Sequence, residues 1–253
     1  MKKHYPGISR RVFMGASGSI AALSSLSTMA NSRQAMPNPF PSSVDASVSF
    51  ISDALGKMGQ DKRKLIMDTG MKPLVDIGKT VIGSAVTCKW EISRSKENIA
   101  AAIREYVFRP LDQAEPGSMW VIASGTDEIL SMFGDVIARA CLRDGIVGAV
   151  CDSGCRDIRS MQEMGFPVFA RGAVPYGPGD IIRPVAANVP VVCAGVEVHP
   201  GDLIAADTDG IVVIPKKLIR ELDQVLADKA KHEKEMREKI DAGETLENAY
   251  SLN

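Results

Sequence analysis

Residues 134–157 read GDVIARACLRDGIVGAVCDSGCRD, and the fold follows from them. Gly134-Asp135 predicts a polar turn that opens a helix, and Val136, Ile137, Ala140 and Cys141 recur at helical spacing behind it. Gly145, directly after Asp144, predicts the helix stop. Residues 146–151 form a short apolar run, the pattern of a strand buried in a sheet. A second polar turn then ends in Arg156-Asp157. This order brings two charged turns to one end of a sheet, the end where open α/β sheets place their ligands.

The turns carry usable chemistry. Asp157 offers an anionic oxygen, a hard ligand suited to Mg²⁺ or Mn²⁺. Arg156 offers a planar cationic fork that matches a carboxylate or an enolate. Gly134-Asp135 starts a helix, so unpaired backbone N–H groups there suit an anion. Taken alone, an adjacent Arg-Asp pair is as readily a loop salt bridge or a helix start as a site.

The neighbouring residues form a longer pattern. Gly134-Asp135-Val136-Ile137 stands where one family shows Gly-Asp-x-Leu. Residues 148–157, GAVCDSGCRD, stand where it shows Gly-x-x-x-Asp-Gly-x-x-Arg-Asp. The match runs on through GFPVFARG at 165–172, NVPV at 188–191, GVEV at 195–198, PGD at 200–202 and ADTDGIVVIP at 206–215. From about residue 52 onward the chain resembles the class II 4-hydroxy-4-methyl-2-oxoglutarate aldolases and the regulator of ribonuclease E activity A. Ser153 departs from the usual Gly, Val136-Ile137 differ mildly from the usual turn, and residues 176–187 depart from the family pattern.

The resemblance implies an α/β fold, a three-layer β/β/α sandwich of the swivelling-domain type. It implies a divalent-metal-dependent aldolase that cleaves a 2-oxo acid, such as 4-hydroxy-4-methyl-2-oxoglutarate, to pyruvate. Oxaloacetate decarboxylation would pass through the same enolate. On this reading Asp157 is the one direct protein ligand to Mg²⁺ or Mn²⁺, and Arg156 binds substrate and stabilises the enolate. Asp135 orients a water that shuttles the proton, and Gly134, Asp135, Val136 and Ile137 line the substrate. The resemblance also implies a homotrimer or homohexamer with sites between subunits, each completed by a neighbour's acid that has no assigned counterpart here. The alternative is a non-catalytic binding regulator; that branch lacks the aspartate matching Asp157, which this chain retains.

The N-terminus reads separately. Lys2 and Lys3 precede Ser9-Arg10-Arg11-Val12-Phe13-Met14, a mild apolar stretch and small residues at Thr28 and Ala30. This is the form of a twin-arginine export signal over residues 1–30, with cleavage after Ala30 and a periplasmic destination. The stretch is too short and too polar for a membrane span, so no membrane association is expected once it is removed. Residues 31–43 read as a Pro-rich leader, and 44–253 as a single domain with a long C-terminal helix.

Composition bounds the partners. The chain holds 30 basic and 31 acidic residues; removing the four basic residues of the signal leaves 26 against 31, a net charge of −5. No broad basic surface is implied, which argues against nucleic acid. About 220 residues remain, enough for one domain with a sizeable core. Cys88, Cys141, Cys151, Cys155 and Cys193 show neither Cys-x-x-Cys nor zinc-site spacing. Cys155 beside Arg156 is either a low-pKa thiol or a buried spacer; the resemblance assigns nothing to that position and reactivity requires exposure, which favours the spacer. His4, His199 and His232 lie in the signal, a Pro-Gly turn and a charged helix, which gives little support to a histidine-based triad.

The remaining pattern is α/β. Helices are predicted over 48–58, 96–108, 157–164 and 216–241, and strands over 80–91 (bent at Gly83), 118–123 and 167–171. Four short strands are predicted between 189 and 214. Parallel units come first and an antiparallel sheet later.

Overall fold

The structure, a computed structural model, describes Phe40, residues 46–93 and residues 99–250. The predicted export signal lies outside the described residues, as does the leader apart from Phe40.

One mixed sheet organises the chain. Its strands are β1 (Lys72–Val75), β2 (Val81–Ile92), β3 (Ser118–Ala123), β4 (Gly148–Cys155), β5 (Val168–Ala173), β6 (Ile182–Ala187), β9 (Leu203–Asp207) and β10 (Gly210–Ile214), in the order β1-β5-β4-β3-β2-β9-β10 with β6 also on β2. β7 (Val191–Cys193) and β8 (Val196–Val198) form a separate hairpin. β2 to β5 are mutually parallel; β1, β6, β9 and β10 pair antiparallel. Parallel neighbours need crossovers, supplied by α2 (Ile99–Ile103) with α3 (Arg109–Asp112), by α4 (Asp135–Arg143) and by α5 (Ile158–Met164).

Alternation along the strands sorts the core. Trp120 and Ile122 of β3, with Ala149 and Cys151 of β4, face Val107, Leu111, Ala138, Cys141 and Met161 of the crossover segments. Met119, Val121 and Val150 point the other way, toward the β7–β8 hairpin and Ile204, Ala206, Ile211 and Val213 of β9–β10. β2 makes this doubling-over possible. Its first residues pair with β9 and its middle with β3, and at Gly83, where the two ladders meet, a Cβ would come within 2.8 Å of the Gly117 carbonyl. The expected β/β/α layering is present. A further helical cover lies outside it: α1 (Val48–Lys57) and α6 (Ile219–Asp241) bury Ile51, Leu55, Leu222 and Leu226 against Ala205, Val212 and Ile214.

The ADTDG motif at 206–210 holds that cover in place. Asp207 Oδ2 accepts the Val48 N–H at 2.8 Å and the Thr80 hydroxyl at 2.9 Å, and Asp209 accepts the Ser49 hydroxyl at 2.7 Å. With Ser47 as N-cap accepting from Phe50, the Val48 and Phe50 N–H groups that open α1 are both satisfied.

Several expectations need correction. Strand β4 does not end at Cys151 but runs to Cys155, so Asp152 and Ser153 are strand residues rather than turn residues. Their polar groups are satisfied inside: Asp152 accepts the N–H groups of Ser124 and Ala194, and Ser153 Oγ accepts the Leu130 N–H at 2.8 Å. Val136, placed on the apolar face of α4, is 78% exposed; Ala138 and Cys141 are the buried positions. β1 and β6 were not predicted. Each contains a proline and lies at an edge, Pro73 pairing only toward β5 and Pro184 only toward β2. The amphipathic helix predicted to end at Phe108 continues through a π turn, Arg104–Phe108, into α3.

Candidate active site

The site forms where the segment before α4 runs beside the end of β4. Gly154 N donates to Leu130 O, Met132 N to Gly154 O and Arg156 N to Phe133 O, at 2.9, 3.0 and 3.2 Å. This short ladder delivers Gly134 to Arg156-Asp157. Ser153, the residue that departs from the family pattern, sits under it; its hydroxyl also reaches the Glu128 and Leu130 carbonyls at 3.0 and 3.1 Å.

Gly134 is the N-cap of α4, and any side chain there would collide with its neighbours. A Cβ would overlap Asp157 Oδ2 and lie 3.2 Å from Arg156 Cγ. Glycine is required for close approach, since its φ of −140° is open to any residue.

Asp157 caps α5 in the left-handed region, at φ 61° and ψ 33°. Short polar side chains tolerate this region because they can hydrogen-bond locally. At Asp157 the side chain is engaged by a distant partner instead: its Oδ2 accepts the N–H of Asp135 at the start of α4 at 3.4 Å and lies 3.7 Å from Arg156 Nε. A residue held there costs about 1–3 kcal/mol, and such strain clusters at functional sites. Asp135 is held in turn, its Oδ2 accepting the Ser160 hydroxyl at 2.8 Å. Val136 and Ile137 follow in the first turn of α4, where backbone N–H groups have no acceptor within the helix.

All six predicted site residues therefore lie on one junction. Among the described residues no group of three or more His, Cys, Asp or Glu gathers as a metal site. Hard oxygen donors at the junction, the Asp157 carboxylate with Asp135 next to it, fit a divalent cation that keeps several waters, as Mg²⁺ does. Nitrogen or thiolate ligation is not on offer. Cys155 is fully buried, and burial, with Asp157 nearby, pushes its thiol up to about 12, so it is the inert spacer. His199 and His232 are exposed, as expected.

The other face of the sheet carries a second polar cleft. It holds about 500 Å³ and is lined by residues 124–128, Asp152, Arg171, Ala194, Ile92 and Val192. Burial raises the Asp152 carboxyl above the ordinary carboxylate range despite the backbone donors it accepts. Arg171 donates to the Asp152 carbonyl at 3.0 Å and to Asp68 at 3.2 Å. These groups tie β3, β4, β5 and the hairpin together. A third cleft, about 410 Å³, lies at the opposite end of β3 around Gln113, Gly117 and Asn188, away from the Arg156-Asp157 junction.

The family profile described as Aldolase/RraA matches residues 48–213. The chain belongs to the RraA-like family. Among curated relatives, a protein of Halalkalibacterium halodurans with the provisional name 4-hydroxy-4-methyl-2-oxoglutarate aldolase is 34% identical over 171 residues, 66% of this chain and 71% of that one. The 4-hydroxy-4-methyl-2-oxoglutarate aldolase of Thermus thermophilus is 27% identical over 115 residues, 44% of this chain and 66% of that one. DlpA of Legionella pneumophila is 28% identical over 215 residues; the match takes in 85% of this chain and 33% of DlpA. Among solved structures, Streptomyces coelicolor RraAS2, an unusual member of the RNase ES inhibitor RraA protein family, superposes with a TM-score of 0.67 at 28% identity. That match covers 79% of this RraA-like chain and 95% of RraAS2.

Sequence reading missed two contributors to this RraA-like site, and a third residue, Arg171, in the cleft on the other face of the sheet. Ser160 and Ser153 are single hydroxyls inside otherwise ordinary helix and strand patterns, and nothing in the pattern signals their partners. Arg171 was visible within the matched GFPVFARG segment, but its ties to Asp152 and Asp68 span 19 and 103 residues.

Proposed function

We propose that this RraA-like chain is a divalent-metal-dependent carbon–carbon lyase that cleaves a 2-oxo acid of the 4-hydroxy-4-methyl-2-oxoglutarate type to pyruvate, and that it also decarboxylates oxaloacetate. The carrying observation is the packing of Gly134, Asp135, Arg156 and Asp157, in which left-handed Asp157 is seated against the start of α4. The aldolase names of its relatives support the same reading.

Asp157 would be the one direct protein ligand to the cation, with Asp135 beside it to orient a water. When bound, that cation supplies Lewis-acid polarisation of the 2-oxo group. The chain's own residues do the rest. Arg156 binds the substrate carboxylate or oxo group and faces the oxygen on which negative charge grows. First-turn N–H groups of Val136 and Ile137 orient the anionic end of the substrate. Asp135, acting through a water, takes the proton from the 4-hydroxyl as the carbon–carbon bond breaks. The bond's electron pair passes to the enolate of pyruvate, which is then protonated at carbon. In oxaloacetate the same enolate forms as CO₂ leaves.

Arg156 and Asp157 side chains are 51% and 44% exposed in one chain. Charges so open to water act weakly, because solvent screens them. We therefore propose that a second copy closes the site, within a homotrimer or homohexamer. We propose also that the chain is exported by the twin-arginine route to the periplasm. Replacing Arg10 and Arg11 together by lysine should leave uncleaved protein in the cytoplasm, and normal periplasmic recovery would count against that route.

The lyase reading is tested by pyruvate release from 4-hydroxy-4-methyl-2-oxoglutarate and from oxaloacetate, with Mg²⁺, with Mn²⁺ and with a chelator. Metal-stimulated turnover is expected. Inactivity on both substrates with either metal would favour a binding regulator, the reading that the likeness to RraAS2 supports.

A further inference from the structure

Two helices begin at the site, and each is pinned by the other. Asp157, the N-cap of α5, presents Oδ2 to the Asp135 N–H in the first turn of α4. Asp135 presents its own Oδ2 to the Ser160 hydroxyl in the first turn of α5, at 2.8 Å and with Ser160 half-buried. We infer that Ser160 is a positioning residue for Asp135, a role that rests on the lyase reading of this junction.

A hydroxyl has one proton to donate, and Ser160 gives it to a single oxygen of Asp135. That bond restricts the carboxylate to rotamers that keep Oδ2 on Ser160, so Oδ1 is the oxygen left, on this reading, to handle the proton. A carboxylate at the opening of a helix otherwise turns freely about its side-chain torsions. Proton transfer needs heavy atoms within hydrogen-bond reach, so a carboxylate that samples several rotamers spends less time in the productive one. The loss belongs in kcat, because Asp135 so placed handles a proton, while Arg156 and the α4 backbone hold the substrate.

The test uses full-length native protein, Ser160→Ala and Ser160→Thr, each followed by crystallography and by pyruvate-release kinetics. Threonine keeps the hydroxyl. Ser160→Ala should lower kcat about tenfold with KM changed less than about twofold, the scale seen when a partner that orients a site group is lost. Ser160→Thr should recover most of that rate, and the Asp135 carboxylate should turn away only in Ser160→Ala. An unmoved Asp135 in Ser160→Ala, an unchanged kcat, or a threonine variant as slow as the alanine variant would overturn the inference. If the native protein releases no pyruvate, the lyase reading has failed; the Asp135 position in the two crystal structures then still decides whether Ser160 holds it.

Discussion

Gly134 is the residue on which the site's geometry turns. It is glycine because the Asp157 carboxylate and the Arg156 side chain occupy the space of a Cβ, with Arg156 Nε 3.3 Å from that position. Gly134→Ala should push both charged side chains aside. A displacement of about 1 Å at a reacting centre commonly costs about 10²-fold in rate, and a loss of that order is expected in pyruvate release. Circular dichroism should show the fold intact, since α4 keeps its helical hydrogen bonds. Rates near native in this variant would mean that the Arg156-Asp157 arrangement is not what the reaction uses. These site residues were legible in the sequence because they are contiguous in two short segments. Ser160 was not, since what makes it matter is one hydrogen bond reaching back 25 residues.

At the scale of elements, the crossover between β2 and β3 shows how a local defect is accommodated. Pro110 has no N–H, so the Tyr106 carbonyl loses the donor that a regular helix would provide four residues on. The chain widens into the π turn Arg104–Phe108, and the buried Cys88 thiol donates to Tyr106 O at 3.2 Å. Burial pushes that thiol up to about 12, which keeps it protonated and able to donate. Cys88→Ala should remove this bond and cost about 0.5–1.5 kcal/mol, while Cys88→Ser should retain most of that through its hydroxyl. Chemical denaturation of both variants distinguishes them; equal losses would show that packing, and not the hydrogen bond, matters here. Helical periodicity made the first half of this helix readable, and proline concealed its continuation. The same residue type hid β1 and β6, because an edge strand tolerates a proline that sequence patterns count as a strand breaker. β3, by contrast, was found at its full extent, 118–123, since all of its residues are buried and Gly117 marks its start.

For the whole molecule, one chain presents an open site and uncovered apolar side chains: Ile92, Val192, Tyr176 and Val136 are each more than half exposed. Light scattering should give three or six times the monomer mass at micromolar concentration. A monomer mass with full activity would rule out a site shared between copies. The layered core was legible because strands buried on both faces read as continuous apolar runs. The outer cover of α1 and α6 was legible as helices but not as a layer, since its seat on β9–β10 depends on contacts such as Asp207 to Val48, 159 residues apart.

The most direct test of the account is Asp157→Ala, assayed for pyruvate release across a titration of Mg²⁺ and Mn²⁺ beside the native protein. The native chain should be stimulated by metal and silenced by a chelator. The variant, folded by thermal melt, should show no metal-dependent turnover at any concentration, because the carboxylate proposed to hold the cation is gone. Native-level turnover in Asp157→Ala with metal still required would contradict the assignment and with it the proposed mechanism.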